Sequence, residues 1–375
     1  MPAQDQLDAF YMARAIYLAK KGLYTTDPNP RVGCVLVKDG RIIGEGWHKQ
    51  AGLPHAEVEA LNNTTEDTNG ATAYVTLEPC SHHGRTPPCC ETLVKAGIKR
   101  VVAAMQDPNP KVSGNGFACL KAAGIEVSCG VLEEDARVLN RGFIMRMTEN
   151  RPFVRSKLAM SLDGRTAMAS GESQWITSPE ARADVHRLRA ESSAILTGIN
   201  TVLADDPSLT ARIDKEVVQP IRVVLDSHLQ IPTNAKMLGL TGRTIILTCK
   251  QSNAVCPELV EGHKDKLQKL QNVGAEVYQL PEKQGRLDLA EVMKFLAGQE
   301  INEVLVEAGA VLNGALLAEN LMDEWVIYMA AKILGDQGRG LFHLPGLDKL
   351  SGSKEMKFKD VRRVGQDIKI IGALR

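Results

Sequence analysis

His55-Ala56-Glu57 and, further on, Leu77-Glu78-Pro79-Cys80-Ser81-His82-His83-Gly84-Arg85-Thr86-Pro87-Pro88-Cys89 decide how this chain is read. One imidazole and two thiolates (His55, Cys80 and Cys89) supply three zinc ligands. They leave a fourth position for water, as in a catalytic rather than a closed structural site. Zinc brings the pKa of such a water down to roughly 7. Glu57, beside it, can take the water's proton and hand it to a leaving nitrogen. Taken singly these residues say little, since a lone Cys is usually a small core hydrophobe. Their placement makes the case: His55 opens a helix, Pro79-Cys80 ends a strand, and Cys89 starts the next helix. Cys90, one residue further, is expected to pack inward. Cys34, Cys119 and Cys129 sit in apolar surroundings and read as core.

Outward from this stretch, short β-rich runs alternate with helical ones, the pattern of an α/β protein. Ala9, Met12, Ala13, Ile16, Leu18 and Ala19 predict an amphipathic helix over 7–21. Strands over 32–37 and 42–47 flank a hairpin signal at Asp39-Gly40. Further strands are predicted at 73–77, 100–105 and 126–131, with helices beginning near His55, Pro88, Gly114 and after Leu132. The polar connector Thr148-Glu149-Asn150-Arg151-Pro152 ends in a helix-disfavouring proline and sets a boundary between domains 1–150 and 151–375. In the second domain, strands are predicted near 153–159, 194–197, 221–226, 244–248, 304–307, 325–330 and 367–371. Helices fall at 179–190, 289–297 and 311–320, and 249–269 reads as a polar loop leading into a surface helix.

The chain has 375 residues, enough for two or three domains at roughly 150 residues each. Its 44% hydrophobic and 24% charged content excludes wholesale disorder. Lys plus Arg and Asp plus Glu both number 45, so the basic footprint of a nucleic-acid binder is missing. No apolar run approaches the ~18 residues that would span a bilayer, and the first residues lack a secretory signal pattern. Eight cysteines are too few for a disulfide scaffold. A cytoplasmic chain with reduced or metal-bound thiols is expected.

The His-x-Glu…Pro-Cys pattern is the signature of zinc nucleobase deaminases. Here eight residues, 81–88, replace the usual short loop between the two cysteines. With that insert the stretch resembles the pyrimidine deaminase of the bifunctional riboflavin-biosynthesis family, to which Pro28-Asn29-Pro30-Arg31-Val32-Gly33 is also similar. The resemblance implies a cytidine-deaminase-like three-layer α/β/α domain acting on a pyrimidine ribose-phosphate. Arg85, with His82 or His83, suits that phosphate, the plain alternative being a solvated loop. Asn29, His48 and Asp107-Pro108-Asn109-Pro110 match further family positions, and the resemblance implies that they line the ribose side.

Gly114-Asn115-Gly116-Phe117-Ala118-Cys119 in the first half and Gly335-Asp336-Gln337-Gly338-Arg339-Gly340 in the second depart from a dinucleotide fingerprint and read as turns. Residues 304–315, from Val304 to Ala315, run from a β-rich stretch through small residues into a helix. That suits a phosphate at the helix N-terminus, or equally a plain tight turn. Ser156-Lys157-Leu158-Ala159-Met160-Ser161-Leu162-Asp163-Gly164-Arg165, Gly171-Glu172-Ser173-Gln174-Trp175-Ile176-Thr177 and the run from Thr201 to Arg212 resemble the reductase half of the same family. The resemblance implies a dihydrofolate-reductase-like α/β domain using NADPH. By it, cofactor contacts are expected at Ala159, Trp175, Thr201, Asp205, Ser227, Gly309, Ala310, Val311, Leu312, Asn313, Gly314 and Ala315. Substrate contacts are expected at Ser173, Arg189, Leu209, Arg212 and Glu307, with Lys157 nearest the reacting ribose and beside Asp205.

These readings imply deamination of a diaminopyrimidine ribotide, followed by NADPH reduction of its ribosyl group to ribityl. The expected partners are small pyrimidine ribotides, one zinc per deaminase domain and NADPH. A homo-oligomer is expected, with neither nucleic acid nor membrane. A tRNA-type base deaminase would want a basic footprint. A merely zinc-stabilised binding module would have no use for Glu57 beside an open metal position.

Overall fold

The structure, a computed structural model, describes residues 3–81, 87–110, 112–250 and 257–374. The chain divides into two compact units, Met1–Asn150 and Arg151–Arg375.

Unit 1 runs α1 (Ala3–Ala19), β1 (Gly33–Lys38), β2 (Arg41–Trp47), α2 (Ala56–Asn62), β3 (Thr72–Val75), α3 (Cys89–Lys95) and β4 (Arg100–Ala103). It continues with α4 (Asn115–Ala122), β5 (Glu126–Cys129), α5 (Glu133–Leu139) and α6 (Arg141–Glu149). The sheet order is β2-β1-β3-β4-β5. The β1–β2 hairpin and β1–β3 are antiparallel, while β3–β4 and β4–β5 are parallel. Successive side chains on a strand point to opposite faces, and the core follows that rule. Cys34 and Leu36 pack with Ala56, Ala60, Leu93 and Leu120 from α2, α3 and α4. Val35 and Val37 pack with Met12, Ala15, Ile16 and Ala136 from α1 and α5. The result is a three-layer α/β/α unit. Cys129 departs from its reading as core: β5 is the sheet's edge strand, and the side chain is exposed. Cys119 is half-buried against the α2–α4 layer.

Unit 2 runs β6 (Phe153–Ser161), α7 (Pro179–Glu191), β7 (Ala194–Gly198), α8 (Ile199–Asp205), β8 (Ile221–Leu225), β9 (Thr244–Cys249) and α9 (Pro257–Asn272). Then follow β10 (Glu276–Leu280), the short pair β11 (Glu282–Lys283) and β12 (Arg286–Leu287), α10 (Leu289–Gly298), β13 (Glu303–Val306) and α11 (Ala310–Ala318). It closes with β14 (Glu324–Ala330), β15 (Met356–Val364) and β16 (Asp367–Leu374). The sheet order is β10-β9-β8-β7-β13-β6-β14-β16-β15, parallel from β10 to β14 and antiparallel beyond. Val223 and Leu225 face α10 and α11, while Val224 faces α8 and α9. Leu305 packs under Ala181, Val185 and Leu188 of α7.

The sequence patterns mark no strand at β10, β11, β12 or β15 and no helix at α8. β15 is an outer strand carrying Lys357, Lys359, Arg362 and Arg363 on exposed positions, so it lacks the apolar alternation that marks a half-buried strand.

Candidate active sites

In unit 1 the metal trio is assembled from three segments. His55 is the extended residue that caps α2, at φ −72° and ψ 165°. Because it stands just outside the helix, the rule that residues two apart in a helix diverge does not bind it. Glu57, in the first turn, is 3% exposed. Cys80 follows β3, and Cys89 opens α3. His55 Nδ1 lies 3.6 Å from Cys80 Sγ and 3.3 Å from Cys89 Sγ, and the donor atoms all fall within 4.8 Å of one another. A tetrahedral zinc with bonds of about 2.1 Å to nitrogen and 2.3 Å to sulfur sets such donors roughly 3.6 Å apart. The trio fits that ion. Cys90, next to Cys89, is buried in the core between α3 and the sheet.

The electrostatics suit the same reading. Cys80 is pushed well below the usual thiol range, first by the hydrogen bond from the Cys89 thiol and further by His55 and the Cys89 backbone N–H. Cys89 is correspondingly raised, because it keeps the proton that the pair shares. Burial, helped by the Cys80 charge, lifts Glu57 to about 7, near the value best suited to moving protons at neutral pH.

His48 is buried, and its ring meets that of His55 edge-on at 5.3 Å. Both of its nitrogens are engaged: Nδ1 lies 3.0 Å from the Pro54 carbonyl, and Nε2 lies 3.0 Å from Asn29 Nδ2. Donation by Nδ1 to that carbonyl leaves Nε2 to accept from the amide. His48 therefore ties the segment before His55 to half-exposed Asn29, with both of its ring nitrogens engaged. His82 and Arg85 lie outside the described residues.

In unit 2 the family-matched residues gather where the parallel strands end, the place where open α/β sheets bind ligands. Lys157, at the middle of β6, is the residue just past the end of its pairing with β13, and half-buried Ala159 lies late in β6. Thr201 and exposed Asp205 are on α8 after β7, and Ser227 follows β8. Glu307 and Gly309 follow β13. Arg189 of α7 holds Glu307 through two bonds, Nε–Oε1 at 2.6 Å and Nη2–Oε2 at 2.8 Å, and a third N–H reaches the Thr210 carbonyl. Burial alone would raise Glu307, but the charge and hydrogen bonds of Arg189, with Lys157, leave it below its usual value. Burial lowers Lys157, with Arg189 adding to the effect and Glu307 opposing it. Lys157 thus answers to Glu307 and Arg189 rather than to Asp205. Arg212 is exposed, and its guanidinium lies 3.0 Å from the His186 ring. His186 was not singled out in the sequence, although it stands three residues before Arg189 on the same helix face.

Several expected contacts are constrained by the fold. The Leu209 side chain is buried in the α8–α9 layer, so only its backbone can meet a ligand. Asn313 is fully buried, accepting from Ser156 Oγ at 2.5 Å and donating to the Ala308 and Gly309 carbonyls. A Cβ at Gly314 would come within 2.0 Å of the His343 carbonyl, so its open space is taken by the chain itself. Gly309, Ala310, Val311 and Leu312 remain accessible at the first turn of α11. Their free N–H groups fit a phosphate. Ala315 lies a turn deeper, half-buried against the core. Trp175 is 64% exposed, with the Arg182 guanidinium 4.6 Å from its ring centroid. A flat, solvent-facing indole can serve as one wall of a cofactor site. Ser173 is half-buried in the same loop.

A three-ligand metal centre with a buried carboxylate has the layout of a zinc deaminase, and the parallel sheet of unit 2 offers a ligand site at its strand ends. The comparisons agree. Residues 5–105 match the cytidine and deoxycytidylate deaminase zinc-binding region, and residues 152–370 match the RibD C-terminal domain. The riboflavin biosynthesis protein RibD of Escherichia coli K12 is 51% identical over 373 residues, 96% of this chain and 98% of that protein. The Acinetobacter baumannii RibD structure is 44% identical with a TM-score of 0.90 and covers 100% of both chains. A diaminohydroxyphosphoribosylaminopyrimidine deaminase/5-amino-6-(5-phosphoribosylamino)uracil reductase from Thermotoga maritima is 37% identical with a TM-score of 0.85, over 99% of this chain and 100% of that one. The chain belongs to the RibD family and is a bifunctional deaminase and reductase of riboflavin biosynthesis. Its fold is a cytidine-deaminase-like unit followed by a RibD reductase unit. No helix among the described residues is long and apolar enough to cross a membrane.

Proposed function

We propose that residues 1–150 deaminate 2,5-diamino-6-(5-phosphoribosylamino)pyrimidin-4(3H)-one. Residues 151–375 then reduce the ribosyl group of the product, 5-amino-6-(5-phosphoribosylamino)uracil, to ribityl with NADPH. The observation that carries the first step is the spacing of His55 Nδ1 from the two sulfurs, with buried Glu57 beside them. Held by His55, Cys80 and Cys89, zinc supplies a Lewis acid and an acidified water. Glu57 takes a proton from the attacking water and returns it to the departing amino nitrogen, so ammonia leaves as a neutral molecule.

In the second step, bound NADPH supplies a hydride for C1 of the opened sugar. Arg212 and His186 meet the substrate phosphate. Arg189 fixes Glu307, and Lys157 supplies the proton or the orientation at the ribose. The accessible first turn of α11 receives a cofactor phosphate, with Trp175 as one wall. The choice of NADPH over NADH rests on the family resemblance. The thiolate ligands call for a reducing compartment, which supports a cytoplasmic setting. The outer strand β15, with Phe358 and Val361 exposed, supports a homo-oligomer, and the zero net charge argues against a nucleic-acid partner.

Purified protein with the diaminopyrimidine ribotide should release ammonia without NADPH, then consume NADPH in equal amount when it is added. NADH should serve poorly. Failure to release ammonia from zinc-loaded protein would overturn the substrate assignment.

A further inference from the structure

Glu78 lies outside the metal trio, yet its buried carboxylate accepts four backbone N–H groups. Oε2 takes those of Asp107 and Gly114 at 3.1 and 3.0 Å, and Oε1 takes those of Gly116 and Phe117 at 2.9 and 3.2 Å. The last two belong to the first turn of α4. Its cap, Gly114, has no side chain to offer, so two of the helix's orphan donors, those of Gly116 and Phe117, are met by a carboxylate from another segment. A negative group at this end also has the favourable sense for the helix dipole.

Pro79, the next residue, puts its carbonyl under that turn: a Cβ on Gly116 would lie 2.0 Å from it. On its other side α4 packs against α3. Leu120 and Leu93 share one core cluster, with Cys90 in it and Cys119 packed against it. α3 begins at Cys89. A closed mechanical path therefore runs from Cys80 through Pro79 and Glu78 to α4, and through α3 to Cys89.

We propose that Glu78 is a positioning residue of the metal centre. By clamping the first turn of α4 onto Pro79, its carboxylate fixes the separation of Cys80 and Cys89. The inference rests on the zinc reading of His55, Cys80 and Cys89. Glu78→Gln keeps the shape but turns an amide NH2 towards backbone N–H groups, so donors face donors and α4 must shift. Gly116→Ala leaves the carboxylate intact and pushes the same turn off Pro79. Asp8→Asn, which breaks the buried Asp8–Arg100 pair between α1 and β4, is the control for general loosening of unit 1.

Zinc affinity of the full chain, measured by chelator competition, should fall about ten- to a hundredfold in E78Q and in G116A. This is the usual effect of removing outer partners of metal ligands. It should stay at the wild-type value in D8N. Saturating zinc should return ammonia release in E78Q towards the wild-type rate, a rescue that unfolding alone would not allow. If E78Q proves insoluble, Glu78→Asp, which keeps both oxygens but shortens their reach, takes its place with the same expectation. E78Q and G116A binding zinc as tightly as D8N would overturn the role of Glu78 alone. A wild-type chain that holds no zinc would overturn the metal reading and this inference with it.

Discussion

Glu57 sits two residues from His55, and its carboxyl is raised to about 7 chiefly by burial. Glu57→Gln preserves the ligands and the packing but cannot carry a proton. It should keep its zinc and lose ammonia release by at least ~10²-fold, the usual scale of general acid–base catalysis. NADPH oxidation with already deaminated substrate should persist. Near-wild-type ammonia release would exclude Glu57 as the proton carrier. The two adjacent cysteines provide a second check. One step along a helix turns a side chain by about 100°, and here it separates Cys89 at the trio from Cys90 in the core. Cys89→Ser should deplete zinc in elemental analysis, whereas Cys90→Ser should retain it. Equal loss from both would mean that the wrong thiol has been assigned.

At the scale of elements, one carboxylate of α1 reaches two strands of the unit 1 sheet, adding to the apolar packing of Met12, Ala15 and Ile16. Asp8 receives two N–H bonds from Arg100 of β4, at 2.8 and 2.7 Å, and the Tyr74 hydroxyl of β3 at 2.8 Å. The hydrogen bond from Arg100 is the main reason that Asp8 stays below its ordinary value, with burial opposing it. A lowered folded-state value means that this stabilisation is fully present above the unfolded pKa of about 3.9. It fades as pH drops through the folded value. Asp8→Asn should cost unit 1 roughly 3 kcal/mol at pH 7, as expected when one partner of a largely buried pair is removed. In denaturant titrations at a series of pH values, the gap from wild type should narrow below about pH 4. A gap that stays constant down to pH 2 would mean that the Asp8 charge is not what anchors α1.

At the scale of the whole molecule, each unit has its own sheet, and each core cluster draws its residues from one unit. Every metal ligand precedes Asn150, and the residues assigned to reduction all follow Arg151. Units of these lengths bury enough surface to fold alone. Residues 1–150 should release ammonia with zinc and without NADPH. Residues 151–375 should bind NADPH and reduce deaminated substrate, and mixing the two should restore both steps. A folded C-terminal fragment without NADPH binding by calorimetry would show that the cofactor site borrows from unit 1.

Two α/β units, the connector between them and the three candidate metal ligands are legible in the sequence, whereas the small-residue run at Gly309 reads equally as a phosphate site or a plain turn. These are local matters: alternation along a strand, ligand types at the ends of elements, and small residues where a strand meets a helix. Partnerships between distant residues emerge only from the folded chain. Arg189 and Glu307 stand 118 positions apart, and nothing in either neighbourhood announces that the guanidinium is already engaged by the carboxylate. The same holds for His48, whose nitrogens are taken by Pro54 and Asn29, and for Gly314, whose space is filled by His343. It holds again for Glu78, whose donors come from Asp107 and from the cap and first turn of α4. A side chain's type limits the bonds it can make. Which of them it makes depends on which groups the folded chain brings within about 3 Å, and for a buried polar group that choice is strongly constrained because leaving it unpaired is costly.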